Sequence, residues 1–302
     1  MKYYVCLRDD DLNYNTQVKD LTSAYEEYWG QVPITLAAIP FMHNSWIKME
    51  SFHDKSLNRN RAMCLKLVRE WETMASANEL ALYHCNQCIG ENKELISHLL
   101  HLQQQKKIEI AQHGVHHRYY EDGKAELISS QIGFYDIRDA KEYLEKVFAT
   151  DIQVFIPPSN AINYKQAMNV QTLNMHLMTC SAICYHSKVE KACLYLHNPL
   201  DILTGISRTF KTGDNPWMKK HGIPIFNSLT FGESSNYTQY RNRVIKQLEE
   251  KGAVCLATHY VNLLSNMEYR RQYLNLIEIL TAKFVNLEFV TATEYCERCL
   301  NH

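Results

Sequence analysis

The residues of this chain that could do chemistry fall into three groups. The segment QHGVHHR (112–118) holds His113 and His117 four residues apart. One helical turn would bring both imidazoles to the same side, a common way to offer two nitrogen ligands to a divalent metal. Gly114 allows a sharp backbone turn between a strand and a helix. His116, at spacing three, is the alternative partner for His113. The second group is the triplet Asp9, Asp10 and Asp11, directly after the apolar stretch VCLR (5–8). Three adjacent carboxylates repel one another and call for a cation or a base to neutralise them. An Asp with two His is a standard ligand set for a hydrolytic metal with positions left open for water and substrate. A second Asp beside the ligand could take the proton of that water. The third group is His259, after the apolar run AVCLA, where an imidazole can act as general acid to a leaving amine or alcohol.

These residues need elements to position them, and the pattern supplies a repeating set. Short apolar runs read as strands at VCLR (5–8), VPITLAAIP (32–40), ELALYH (79–84), IEIAQH (108–113), IQVFIPP (152–158), IPIFNSLTF (223–231), AVCLATH (253–259) and LEFVTAT (287–293). They are continuous rather than alternating, which suits strands buried on both faces of a parallel sheet. Amphipathic helical spacing recurs between them, at 16–29, 61–75, 92–105, 135–148 and 269–284. The segment 160–222 is the least regular, with CLYLH (193–197) as a short strand candidate. Alternating strands and helices imply parallel strands with right-handed crossovers, in an open doubly wound sheet or a closed barrel. Active sites of such folds lie at the carboxyl ends of the strands. Those ends carry the Asp triplet, His84, His113, Pro157 and Pro158, and Thr258 with His259.

Composition bounds the rest. The chain has 302 residues, 46% hydrophobic and 22% charged, which excludes disorder as its dominant state. Its formal net charge of −1 gives no reason to expect nucleic acid as a partner. No apolar run approaches the roughly 20 residues that span a bilayer. The start, MKYYVCLRDDDLNYN, does not read as a signal peptide, because acids follow the short apolar stretch at once. A cytoplasmic protein is expected, and its 10 Cys are expected as reduced thiols. HCNQC (84–88) and CERCLNH (296–302) each contain C-x-x-C, but a shared zinc site is disfavoured by their separation. No linker or repeat interrupts the chain, so one domain is expected over 1–302.

In combination, RDDDL (8–12), HGVHH (113–117), FIPPSN (155–160) and ATHY (257–260) resemble the polysaccharide deacetylase family, the NodB-homology group of carbohydrate esterase family 4. The motifs come in the family's order and span almost the whole chain. Their form resembles divergent intracellular members more than secreted ones. The resemblance implies a distorted, TIM-like (β/α) barrel with about seven strands. It implies a divalent metal, usually zinc, held by Asp11, His113 and His117. It makes Asp10 the general base and His259 the general acid, and it places Pro158, Ser159 and Asn160 against the substrate. The other register of the triplet puts the base at Asp9 and the ligand at Asp10. A backbone N–H around Ser159 or Asn160 is the expected oxyanion donor. The family's middle motif usually begins with an Arg that orients the base. Ile156 stands there in this chain, and Arg8 is the nearest replacement charge. The family's Asp-Trp motif has no clear counterpart, Trp217 being a weak candidate.

The function so implied is a metal-dependent hydrolase of C–N amide bonds. It would deacetylate an N-acetylated sugar or glycan intermediate, as in capsule or lipopolysaccharide assembly. The alternatives are the same barrel acting on another amide or acyl substrate, and an inactive sugar-binding member.

Overall fold

The computed structural model describes residues 2–44, 61–84, 86–120, 124–180, 183, 215–232 and 236–301. Its centre is β1 (Tyr3–Leu12). On one side β1 pairs in parallel with β11 (Ala253–Thr258). On the other, its first half pairs with β12 (Leu287–Val290) and its second half with β2 (Ile34–Ala38), both parallel. From β2 the sheet runs through β5 (Ile108–His113), β6 (Val154–Ile156), β7 (His176–Met178) and β9 (Ile223–Phe226), all parallel. It ends in β8 (Trp217–Lys220), antiparallel to β9, and β10 (Leu229–Thr230) extends the opposite end beyond β11. A separate antiparallel pair joins β3 (Phe41–His43) to β4 (Asn86–Cys88).

Among the described residues the sheet therefore has ten strands, where about seven were expected. It is curled rather than flat. Cys255 of β11 and Met178 of β7 stand far apart along the sheet order, yet their sulfurs are 3.7 Å apart. The strand period of two explains the two layers of the core. Cys6, Ala37, Ala111, Ile156, Met178, Phe226 and Cys255 point into the barrel and form one buried cluster. Their sequence neighbours Leu7, Leu36, Ile110, Phe155, Leu177, Ile225 and Leu256 belong to the other cluster, which also contains buried helix residues. Alanine and cysteine fill the narrow interior, and burial pushes the thiols of Cys6 and Cys296 well above their usual range. Cys6, Cys255, Cys296 and Cys299 thus serve as packing residues. Cys85 lies outside the described residues.

Ten helices are described: α1 (Val18–Tyr25), α2 (Arg61–Met74), α3 (Ala77–Tyr83), α4 (Lys93–Gln104), α5 (Phe134–Phe148), α6 (Tyr164–Thr172), α7 (Tyr237–Lys251), α8 (Tyr260–Ser265), α9 (Met267–Lys283) and α10 (Ala292–Leu300). The last of them, α10, inserts Tyr295, Cys296 and Cys299 into the barrel cluster. Glu109 of β5 receives the Ala292 N–H at 2.7 Å and the Thr293 N–H at 3.2 Å, so a half-buried carboxylate sits at the positive end of this helix. Among the described residues, no helix is long and apolar enough to cross a membrane.

Three expectations need correction. ELALYH (79–84) is not a strand, since Ala77–Tyr83 is helical. Ser76 caps it, and Glu79 returns a bond to the Ser76 N–H, a capping box that outweighs the short apolar run. His84 therefore leaves the strand-end set. β1 also does not stop at Arg8 but runs through the acids to Leu12, because those side chains meet buried partners instead of water. The single run at 223–231 divides into β9 and β10. The candidate strand 193–197 lies outside the described residues.

Candidate metal centre and active site

The three acids of β1 are separated by the strand itself. Asp9 accepts a hydrogen bond from the Tyr25 hydroxyl of α1 and lies in the outer layer. Burial, joined by the neighbouring charges of Asp10 and Asp11, pushes its carboxyl well above the usual range. Asp10 faces Arg8, two residues back on the same strand, with Nη2 to Oδ2 at 2.7 Å and both side chains buried. The expected alternative for the Arg missing before Pro157 is thus beside Asp10. Ile156 is a barrel-packing residue whose carbonyl accepts from the His113 ring.

Asp11 breaks the alternation. Its φ of 72° is left-handed, and the register with β2 shifts between Asp9 and Leu12. A bulge of this kind re-aims a side chain. Asn13 supports it by donating Nδ2 to the Asp11 carbonyl at 2.7 Å. The result is that Asp11 Oδ1 lies 3.0 Å from His113 Nε2 and 3.1 Å from His117 Nε2, and all three residues are buried. One ligand atom from each falls within 4.8 Å of the others.

The histidine pair comes together differently from the expectation. His113 ends β5 and no helix follows it. The chain turns through Gly114 at φ 61° and returns to His117 at φ 52°, so two left-handed residues do what a helical turn was expected to do. Gly114 is required twice over. A Cβ there would lie 2.0 Å from Glu126 Oε1 and 2.5 Å from Pro158 Cγ. His116 points away, its Nδ1 at 2.9 Å from the Phe41 carbonyl.

The donor set suits a cation. His113 Nδ1 lies 3.0 Å from the Ile156 carbonyl, an acceptor only, so Nδ1 carries the proton. In the neutral ring Nε2 then presents a lone pair to the Asp11 carboxylate. Acceptors that face one another in a buried site need a shared positive charge, a proton or a metal ion. Burial opposes ionisation of Asp11, but His117, His113 and His259 outweigh it and hold the carboxyl well below its usual range. Burial likewise opposes the charge of His117, yet Asp11 and then Glu126 raise its pKa.

His259 stands at the N-terminus of α8, Nε2 at 3.5 Å from Asp11 Oδ2, and its side chain is more open than those of the other two histidines. Pro158, Ser159 and Asn160 form a turn after β6, and the last two have φ near 55°. Ser159 Oγ bonds the Tyr119 hydroxyl. Asn160 donates its N–H to the Pro157 carbonyl at 2.9 Å. Trp217 stacks on Phe226 and packs against the barrel cluster. Glu126 and Asn13, which shape this site, were not among the expected residues. Asn13 carries a local turn signal in D-L-N, whereas nothing in the sequence singles out Glu126.

No family model and no curated protein matches the chain. Among solved structures it is similar to the Xyl-CE4 domain of a multidomain xylanase from the hindgut metagenome of Trinervitermes trinervoides, at 14% identity over 99% of this chain and 91% of that one, TM-score 0.45. It is also similar to a family 4 acetyl xylan esterase from Clostridium thermocellum in complex with cobalt, at 13% identity, 98% and 91% coverage and TM-score 0.46. A CE4 family pseudoenzyme from Bacillus anthracis is similar at 9% identity, 98% and 66% coverage and TM-score 0.47.

Proposed function

We propose that this chain is a metal-dependent hydrolase of the polysaccharide deacetylase type that removes an acetyl group from an N-acetylated sugar. The observation that carries the reading is the convergence of Asp11, His113 and His117, one anionic and two nitrogen donors, in a buried site at strand ends. These three residues would hold a divalent metal, zinc by preference for this donor set. When bound, the metal supplies Lewis acidity toward an acetamide carbonyl and a more acidic water.

The chain's own residues do the rest. Asp10, fixed by Arg8, takes the proton of the attacking water at a carboxylate oxygen. The Ser159 N–H donates to the oxygen on which negative charge develops. His259, beside Asp11 yet open to solvent on its other side, delivers a proton to the departing amine. Acetate and a free amino sugar leave.

The test is acetate release from a panel of N-acetylated oligosaccharides and nucleotide sugars. Release that stops on chelation and returns with zinc supports the reading. A chain that binds no metal and releases no acetate removes it.

A further inference from the structure

We propose that Glu126 is a positioning residue of the metal centre, holding the 114–118 turn in the one shape that brings His117 to Asp11. This rests on the metal-binding reading above.

Glu126 is fully buried, in a turn beyond the short bridge between Tyr119 and Ala125. A buried carboxylate is costly unless its oxygens are bonded. Here they take three N–H groups from one short stretch of backbone. Oε1 accepts from Val115 at 2.7 Å, and Oε2 accepts from His116 at 2.9 Å and from Arg118 at 3.3 Å. N–H groups from neighbouring residues of a turn with left-handed members converge on one point and make a concave anion site. The protein fills that concavity with its own carboxylate.

The consequence for His117 is direct. It lies between the bonded residues His116 and Arg118 and holds φ at 52°, a conformation that a non-glycine residue keeps only when its surroundings impose it. Without the carboxylate, the buried N–H of Val115 loses its partner and the left-handed turn loses its template. Gly114 lets Glu126 approach this closely, because any side chain at that position would strike Oε1. Glu126, Gly114 and His117 therefore act as one unit, although only His117 carries a ligand atom.

The experiment measures cobalt(II) affinity of the full chain by competition with a chelator, and the d–d absorption of the bound ion. It compares wild type with Glu126→Ala and Glu126→Gln, all well below their unfolding temperatures. The Ala variant is expected to bind cobalt about 10- to 100-fold more weakly, with an altered absorption band. The Gln variant keeps one carbonyl acceptor and is expected to fall between the two. A role confined to stability would lower the unfolding temperature and leave affinity and spectrum unchanged, and that result overturns the proposal. If the Ala variant does not fold, wild-type affinity in the Gln variant overturns it. A wild-type chain that binds no cobalt removes the metal-binding reading itself, an outcome distinct from a failure of Glu126 alone.

Discussion

Arg8 and Asp10 form a buried ion pair, Nη2 to Oδ2 at 2.7 Å, from one strand and two residues apart. The spacing of two puts both side chains on the same face. The pair is costly to assemble, because each ion gives up its water, and Arg8 Nε and Nη1 have no partner among the described residues. Breaking it is costlier still. Arg8→Met leaves the Asp10 carboxylate buried beside Asp9 and Asp11, and a loss of about 3–5 kcal/mol is expected in urea unfolding of the metal-free protein. Arg8→Lys restores charge without the planar fork and is expected to recover part of that. A loss below about 1 kcal/mol in Arg8→Met would show that the pair does not hold Asp10.

Metal removal is expected to act through the same strand end. A ligand that binds only the folded state stabilises by RT ln(1 + [L]/Kd), about 2.7 kcal/mol at a hundredfold excess over Kd. Chelation should therefore lower the unfolding temperature of the wild type. Asp11→Ala and His113→Ala should bind no metal and show no response to chelation. Elemental analysis decides the matter: variants that retain about one equivalent per chain contradict the ligand assignment.

His259 predicts a different outcome, because its Nε2 lies 3.5 Å from Asp11 Oδ2 and it is no member of the close donor set. His259→Ala should keep its metal and lose about 10²–10⁴ in kcat on an acetamide, where the leaving amine needs a proton. On an aryl acetate, whose leaving group needs none, the loss should be much smaller. Equal losses on both substrates would remove His259 as the acid.

Much of this was legible in the sequence, and the failures have physical causes. β5 (Ile108–His113) matches its apolar run residue for residue, because both faces of a central strand are buried. The end of β1 was not legible. The sequence reading ends the strand at Arg8, and only the Arg8–Asp10 pair within the strand and the partners that other elements bring to Asp9 and Asp11 carry it on through the acids. The pairing of His113 with His117 followed from spacing, but its means did not. Spacing four suggests a helix, whereas the chain uses two left-handed residues and a distant carboxylate. The helix at Ala77–Tyr83 was legible in principle from Ser76 and Glu79, and its apolar run concealed it.

His43 gives a pH dependence separate from the metal centre. Its N–H bonds the His116 carbonyl at 3.1 Å, and its ring meets Tyr83 edge-on at 6.0 Å and His84 at 6.2 Å. Burial first, then the charges of Arg118, His116 and His84, lower its pKa from 6.5 to about 4. The unfolded chain therefore takes up a proton near pH 6.5 that the folded chain refuses until about pH 4. Across that window the unfolded state binds more protons, so stability rises with pH. The contribution is complete above the unfolded value and is lost as pH falls toward the folded one. His43→Gln removes this titration while leaving every other group in place. The stability of wild type relative to His43→Gln should therefore fall steadily from neutral pH to about pH 4. Urea unfolding of both metal-free proteins, at several pH values across that range, measures the difference with the other groups cancelled. A difference that stays constant would mean that the folded protein admits a proton to His43 as readily as water does.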